Sequence, residues 1–192
     1  MRVNATDHER EVNEGVTSGG AAMWVFGYGS LMWRPGFAHE EAVPATVRGY
    51  HRAPCVVSHV HRGTPERPGV VLGLDRGGAC NGLAFRVHHR LIEETLRYLR
   101  EREQTTMVYL ERRVPVRLGD GRRVEALTYV VDRTHVQYAR RLGFDDLVQR
   151  IEGAVGRSGP NEAYFIETAA KLKAMGIRDA LLERLAERLA AA

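Results

Sequence analysis

Lysine is almost missing from this chain. Of 28 lysines and arginines only Lys171 and Lys173 are lysines, and the arginines are spread along all 192 positions. A nucleic-acid-binding surface gathers its cations on one face and interleaves aromatics with them. Here acids accompany the arginines, as from Arg97 to Arg102, so the net charge of +4 implies only weak attraction for anionic ligands. Cysteine is nearly as scarce. Cys55 and Cys80 stand far apart without CxxC spacing, which excludes a zinc ribbon and a disulfide framework and leaves buried reduced thiols. No apolar run approaches the ~20 residues that span a bilayer, and the N-terminus has no signal-peptide core. The expectation is a cytoplasmic protein without a membrane segment, for which the glycosylation sequon at Asn4-Ala5-Thr6 has no meaning. There is no internal repeat.

What is present suits one core. An apolar content of 44% over this length can bury a single hydrophobic interior and is short for two. Met1 to Ala22 is polar and lacks apolar periodicity, so it is expected to form a disordered leader, with Met23 a candidate physiological start. Residues 23–192 then form the single expected domain. Strand patterns run over Trp24 to Tyr28, Ala45 to Val57, Val70 to Leu74, Gly82 to Val87, Val108 to Val116 and Arg123 to Val131, with a hairpin turn at Gly119-Asp120-Gly121. Helical patterns cover Arg90 to Gln104, Asp145 to Val155, Glu162 to Met175 and Asp179 to Ala191, with Asn161 as an N-cap and Gly176 just past a helix end. About six strands first and most helices last predict an α+β fold, a small mixed sheet or barrel with flanking helices.

Two stretches carry candidate chemistry. The first is Met23 to Trp33, an apolar strand that runs into Gly27-Tyr28-Gly29-Ser30. Glycines there permit positive backbone φ and close approach of a ligand to the main chain, and exposed amides hold anionic oxygens. The dinucleotide and phosphate-loop patterns fail, because Met32 stands where a third glycine belongs; the hydrolase elbow fails because Tyr28 and Met32 flank Ser30. A plain turn between core strands is an equal reading. The second is the helix from Arg90. Ile92, Leu96 and Leu99 form a buried stripe, and Glu103 lies about 20° from Ile92 around the axis, whereas Glu101 lies about 180° away. An inward carboxylate costs free energy unless paired or useful. A Glu that bonds arginine or backbone near the helix end is the alternative. The connector His61 to Gly69 is either a loop over a site or a long hairpin connection. The pairs His59/His61 and His88/His89 lack the further ligands a metal site requires, and nothing positive supports a triad on Ser30.

Three segments in register, Val25-Phe26-Gly27-Tyr28-Gly29-Ser30-Leu31, Tyr98-Leu99-Arg100-Glu101-Arg102-Glu103 and Ser158-Gly159-Pro160-Asn161, resemble the ChaC-like gamma-glutamylcyclotransferases; Asp75 to Cys80 and Thr134 to Tyr138 look similar to further blocks. The resemblance implies a barrel-like sheet with helices and cleavage of glutathione to 5-oxoproline and Cys-Gly without metal or organic cofactor. It assigns substrate binding to Val25, Phe26, Gly27, Tyr28, Gly29, Ser30 and Leu31, with Tyr138 as a pocket wall, and makes Glu103 the general acid/base. The partner implied is a small molecule, with neither nucleic acid nor membrane. Between Glu103 and Tyr109 relatives commonly carry glycine, where this chain has Gln104 to Val108. Alternatives are another gamma-glutamyl substrate, a non-catalytic small-molecule binder, or an arginine-rich nucleic-acid module.

Overall fold

The structure, a computed structural model, describes residues 21–191. The leader expected over residues 1–22 therefore lies outside the described residues but for Ala21 and Ala22. Five strands close a barrel in the order β1-β3-β2-β4-β5: β1 Met23–Gly27, β2 Glu41–Ser58, β3 Gly69–Val87, β4 Tyr109–Leu118 and β5 Arg123–Val131. The seam is parallel, with Trp24 opposite Ala126 and Val25 opposite Leu127; the other pairings are antiparallel. Alternation along β1 divides its side chains between two cores. Trp24 and Phe26 join Val47, Leu74, Val116 and Ala126, whereas Met23 and Val25 join Leu31, Val87, Leu99 and Leu127.

The expected strands Val70 to Leu74 and Gly82 to Val87 are one strand of 19 residues. The glycines between them bend the strand without breaking it. Gly77 and Gly78 take φ of +102° and +71° and carry β3 past an irregularity in β2, where Gly49 takes +84° and the register shifts between Arg48 and Tyr50. A bulge of this kind bends a strand without ending it.

Helix α1, Ile92–Glu103, packs Leu99 and the partly buried Ile92 and Leu96 against the second core, as its spacing predicts. Helices α2 Phe144–Ile151, α3 Asn161–Ala174 and α4 Ala180–Ala190 share a third core around Leu147, Ile151, Phe165, Leu172, Leu182 and Leu185. A two-stranded ribbon, β6 Val155–Gly156 and β7 Gly159–Pro160, leads into α3. Gly176, at φ +69°, ends α3 with amide bonds from Gly176 to Lys173 O and from Ile177 to Leu172 O. Asp179 caps α4 by accepting from the Leu182 amide.

Asn161 does not cap α3. Its side chain is fully buried and bonds both the N–H and the C=O of Val70 at 2.8 Å, so it replaces a strand neighbour and ties α3 to β3. Cys55 and Cys80 are free and buried, as expected. Among the described residues no helix is long and apolar enough to cross a membrane, and no cluster of three or more His, Cys, Asp or Glu is placed to hold a metal.

Candidate active site

A cavity of about 650 Å³ opens where the end of β1, the end of α1, the connector after β2 and the first turns of α3 meet. Phe26, Tyr28, Gly29, Ser30, Leu31 and Glu103 all line it, so the loop and the inward carboxylate meet at one wall. Val25, Gly27 and Tyr138 are not among its lining residues. Val25 is wholly buried in the core beneath α1. Tyr138 instead donates to Asp75 at 2.7 Å, beside an Arg133 that donates to the same carboxylate at 2.6 Å.

Gly27 works by space, and neither loop glycine takes a positive φ. A Cβ on Gly27 would fall 3.0 Å from that of Leu31, so glycine lets the chain fold back on itself; one on Gly29 would meet nothing within 4 Å. Gly29 itself sits at φ −135°. The short 3-10 helix Ser30–Met32 uses the carbonyls of Gly29 and Ser30 as acceptors. Among the described residues, the amides of Gly29, Ser30 and Leu31 meet no acceptor.

Glu103 closes α1 with 18% of its side chain exposed. Burial pushes its carboxyl above the usual range, opposed by the Arg102 guanidinium, whose Nε lies 3.2 Å away. A carboxyl raised in this way exchanges protons nearer neutrality. Arg102 also donates to Ser30 Oγ at 2.8 Å, to the Arg34 carbonyl at 2.6 Å and to Tyr98 Oη at 2.9 Å. One side chain thus joins the carboxylate, the loop and the segment beyond it.

Five tyrosines line the same space, and Tyr28, Tyr109 and Tyr164 are among them. Burial first, then the charge of Glu103, pushes Tyr28 well above its ordinary range; burial, followed by Tyr28 and other neighbours, does the same to Tyr109. Tyr164 is pushed to about 12 by burial, against the Leu72 amide and Arg62. All three stay protonated at neutral pH. Tyr109 donates to the Leu72 carbonyl at 2.7 Å, and the Leu72 amide donates to Tyr164 Oη at 3.3 Å, which fixes both rings on β3. Behind the loop, Arg52 is 4% exposed at its side chain and donates to Tyr28 O at 2.6 Å, to Asn81 O at 2.7 Å and to Asp179 at 3.1 Å.

The chain's other cavity residues come from segments the sequence left open. The connector after β2 supplies His61 and Arg62, so it does lie over the site. Arg62 sits over the Tyr164 ring at 5.2 Å and donates to Pro160 O at 3.1 Å. Ser158 lines the rim and pairs with His61 Nδ1 at 3.0 Å. Tyr109, Tyr164 and Arg102 carry no spacing signal of their own.

In a comparison with known proteins, the family described as ChaC-like protein matches residues 23–192. The chain belongs to the ChaC-like family. This ChaC-like chain is 35% identical over 157 residues to the glutathione-specific gamma-glutamylcyclotransferase of Escherichia coli K12, covering 82% of itself and 68% of that protein. It is 32% identical over 158 residues to glutathione-specific gamma-glutamylcyclotransferase 1 of Danio rerio, covering 80% and 81%. In three dimensions it is similar to a yeast gamma-glutamylcyclotransferase specific to glutathione, with a TM-score of 0.81 at 22% identity, over 90% of this chain and 97% of that one; this supports the fold. In the turn after Glu103 the backbone of this ChaC-like chain enters a region that favours glycine. Met107 takes φ +60°, the left-handed region that favours glycine, with its side chain 59% exposed.

Proposed function

We propose that this protein is a gamma-glutamylcyclotransferase that cleaves glutathione to 5-oxoproline and Cys-Gly, with Glu103 as its general acid/base. The observation that carries this reading is the meeting of Glu103 and the Tyr28 to Leu31 loop on one cavity wall. The substrate's own α-amine attacks its side-chain amide carbonyl, a five-membered ring forms, and the bond to the cysteine nitrogen breaks. The α-ammonium must lose two protons, one before attack and one as the ring closes, and Glu103 as carboxylate takes each and returns it to the departing nitrogen. The lactam keeps one hydrogen on its nitrogen and Cys-Gly leaves as an ammonium, so protons balance. Every product atom comes from the substrate, and the reaction as written consumes no cofactor.

Ring closure is a problem of orientation. The amides of Gly29, Ser30 and Leu31, which meet no acceptor among the described residues, supply donors for the α-carboxylate or the developing oxyanion. Ser30 therefore binds and is not a nucleophile; its Oγ already accepts from Arg102.

The cations of the cavity favour glutathione over a gamma-glutamyl amine. Arg34, Arg62 and Arg102 share the lining with the acids Glu103 and Glu167. Glutathione carries a second carboxylate, on its glycine, that an arginine fork can hold, and an amine product has none. The test is incubation of the purified protein with glutathione, gamma-glutamyl dipeptides and a gamma-glutamyl amine, with mass-spectrometric detection of 5-oxoproline. Glutathione is expected to react fastest. Release of 5-oxoproline from the amine alone would overturn the substrate assignment, and release from none would overturn the reaction.

A further inference from the structure

A second cavity, about 710 Å³, lies on the outer wall of the barrel between β2, β3, β4 and the turn after α3, and it shares no lining residue with the candidate active site. We propose that it binds a small amphipathic anion, with a phosphate or carboxylate head held by Arg48, Arg117 and Arg123 and an aliphatic body resting on Pro44, Met175 and Ile177.

The charge pattern carries the proposal. Arg117 of β4 stands directly opposite Arg123 of β5 in the antiparallel register. Like charges in that position repel and destabilise a sheet. Thr46 is the β2 partner of Arg117, and Arg48, two residues further along β2, shares its face. All three arginines line the cavity, and its lining includes no Asp or Glu. Two other arginines of the same ribbon are matched: Arg113 lies 3.7 Å from Glu125, and Arg122 pairs with Glu41 and Asp120. Glu125, two residues along β5 from Arg123, faces Pro115 and is engaged by Arg113. Among the described residues, Arg48, Arg117 and Arg123 meet no carboxylate.

A bound oxyanion would supply the missing countercharge and accept from two guanidinium forks at once. Asn81, which also lines the cavity, accepts from Thr46 Oγ1 at 2.8 Å through its Oδ1, and its NH₂ is a further donor for the anion. The cavity has no aromatic residue to stack on a base or ring, and Met175 is 36% exposed at its edge. An aliphatic body fits that wall better than a planar one.

The test uses isothermal titration of the whole protein with octyl phosphate, octanoate and inorganic phosphate, below the concentration at which the alkyl anions form micelles. The variants are the double substitution Arg117→Gln with Arg123→Gln, and Arg113→Gln as a matched control. One alkyl anion is expected to bind the native protein at least ~10-fold more tightly than inorganic phosphate, and to bind the double variant at least ~10-fold more weakly, the scale of losing charged hydrogen bonds. The tighter of the two identifies the head group. Arg113→Gln should bind as the native protein does, and the double variant should melt no lower at low salt, because a repulsive pair is gone. Failure of both alkyl anions to bind, equal binding by the double variant, equal binding of inorganic phosphate, or a lower melting temperature in the double variant would each overturn the proposal.

Discussion

Replacement of Arg102 by Met should damage both substrate positioning and the proton chemistry, and the two effects separate in an experiment. Arg102 donates hydrogen bonds to Ser30, Arg34, Pro35 and Tyr98, and pairs with Glu103 at 3.2 Å. Hydrogen bonds to a charged group contribute about 1.5–3 kcal/mol each, but Ser30 and the Arg34 carbonyl border an open cavity and regain water when the guanidinium goes. A net loss of about 2 kcal/mol in transition-state binding is a reasonable scale, roughly 30-fold in kcat/KM. The direction of the pH effect follows from Glu103. Burial raises its pKa and Arg102 opposes that rise, so without Arg102 the carboxyl titrates higher still. The acidic limb of kcat/KM, which reports the free enzyme's base, then moves to higher pH. Arg102→Lys retains the cation without the fork, so it should return the limb toward its native position while leaving KM raised. The assay is 5-oxoproline release from glutathione across the pH range. A residue that supports folding alone would reduce active protein without moving the limb; an unmoved limb with native KM in Arg102→Met would refute the reasoning.

Three further outcomes rest on single features. Met107→Gly removes a left-handed side chain at φ +60° and should stabilise the protein by about 0.5–1 kcal/mol, after allowance for glycine's extra entropy, read as a higher urea midpoint. Asn161→Ala orphans the N–H and C=O of Val70 in the interior and should cost about 2–4 kcal/mol in the same assay. Asp75 is desolvated, yet Arg133, Tyr138 and the Arg76 amide outweigh that burial and hold its carboxyl below the ordinary range. The sign is that of a depressed acid: its contribution is present above the unfolded pKa and is lost as pH falls through the folded one. Asp75→Asn should therefore melt lower than the native protein at pH 7, with the gap closing on acidification.

Much of this fold is legible in local sequence patterns. The stripe Ile92, Leu96 and Leu99 lies against the core, and its extension to Glu103 reaches the cavity, because side-chain direction along a helix follows from the 3.6-residue period alone. Alternation marks the five barrel strands; the glycines of β3 serve a bulge and imitate a break, and the ribbon strand Val155–Gly156 falls where the spacing predicts the end of a helix. Cavity residues from distant segments were harder to see. Tyr109 and Tyr164 are fixed by bonds to Leu72, and Arg62 lies over Tyr164, contacts between positions far apart in the chain that leave no period in it. Asn161 shows the same limit. At a helix start it reads as a cap, but its amide faces Val70 across the fold. The resemblance to ChaC-like enzymes supplied the substrate, which no spacing names.

The central claim is that Glu103 moves both protons. Its raised pKa means that the fold already disfavours the charged form, so the neutral isostere in Glu103→Gln should fold normally. The decisive measurement is 5-oxoproline release by Glu103→Gln at saturating glutathione, alongside the native enzyme and with native melting behaviour verified. A fall of at least ~100-fold is expected, the usual scale for loss of a general acid/base. Turnover near the native rate would contradict the account and place the proton transfers elsewhere.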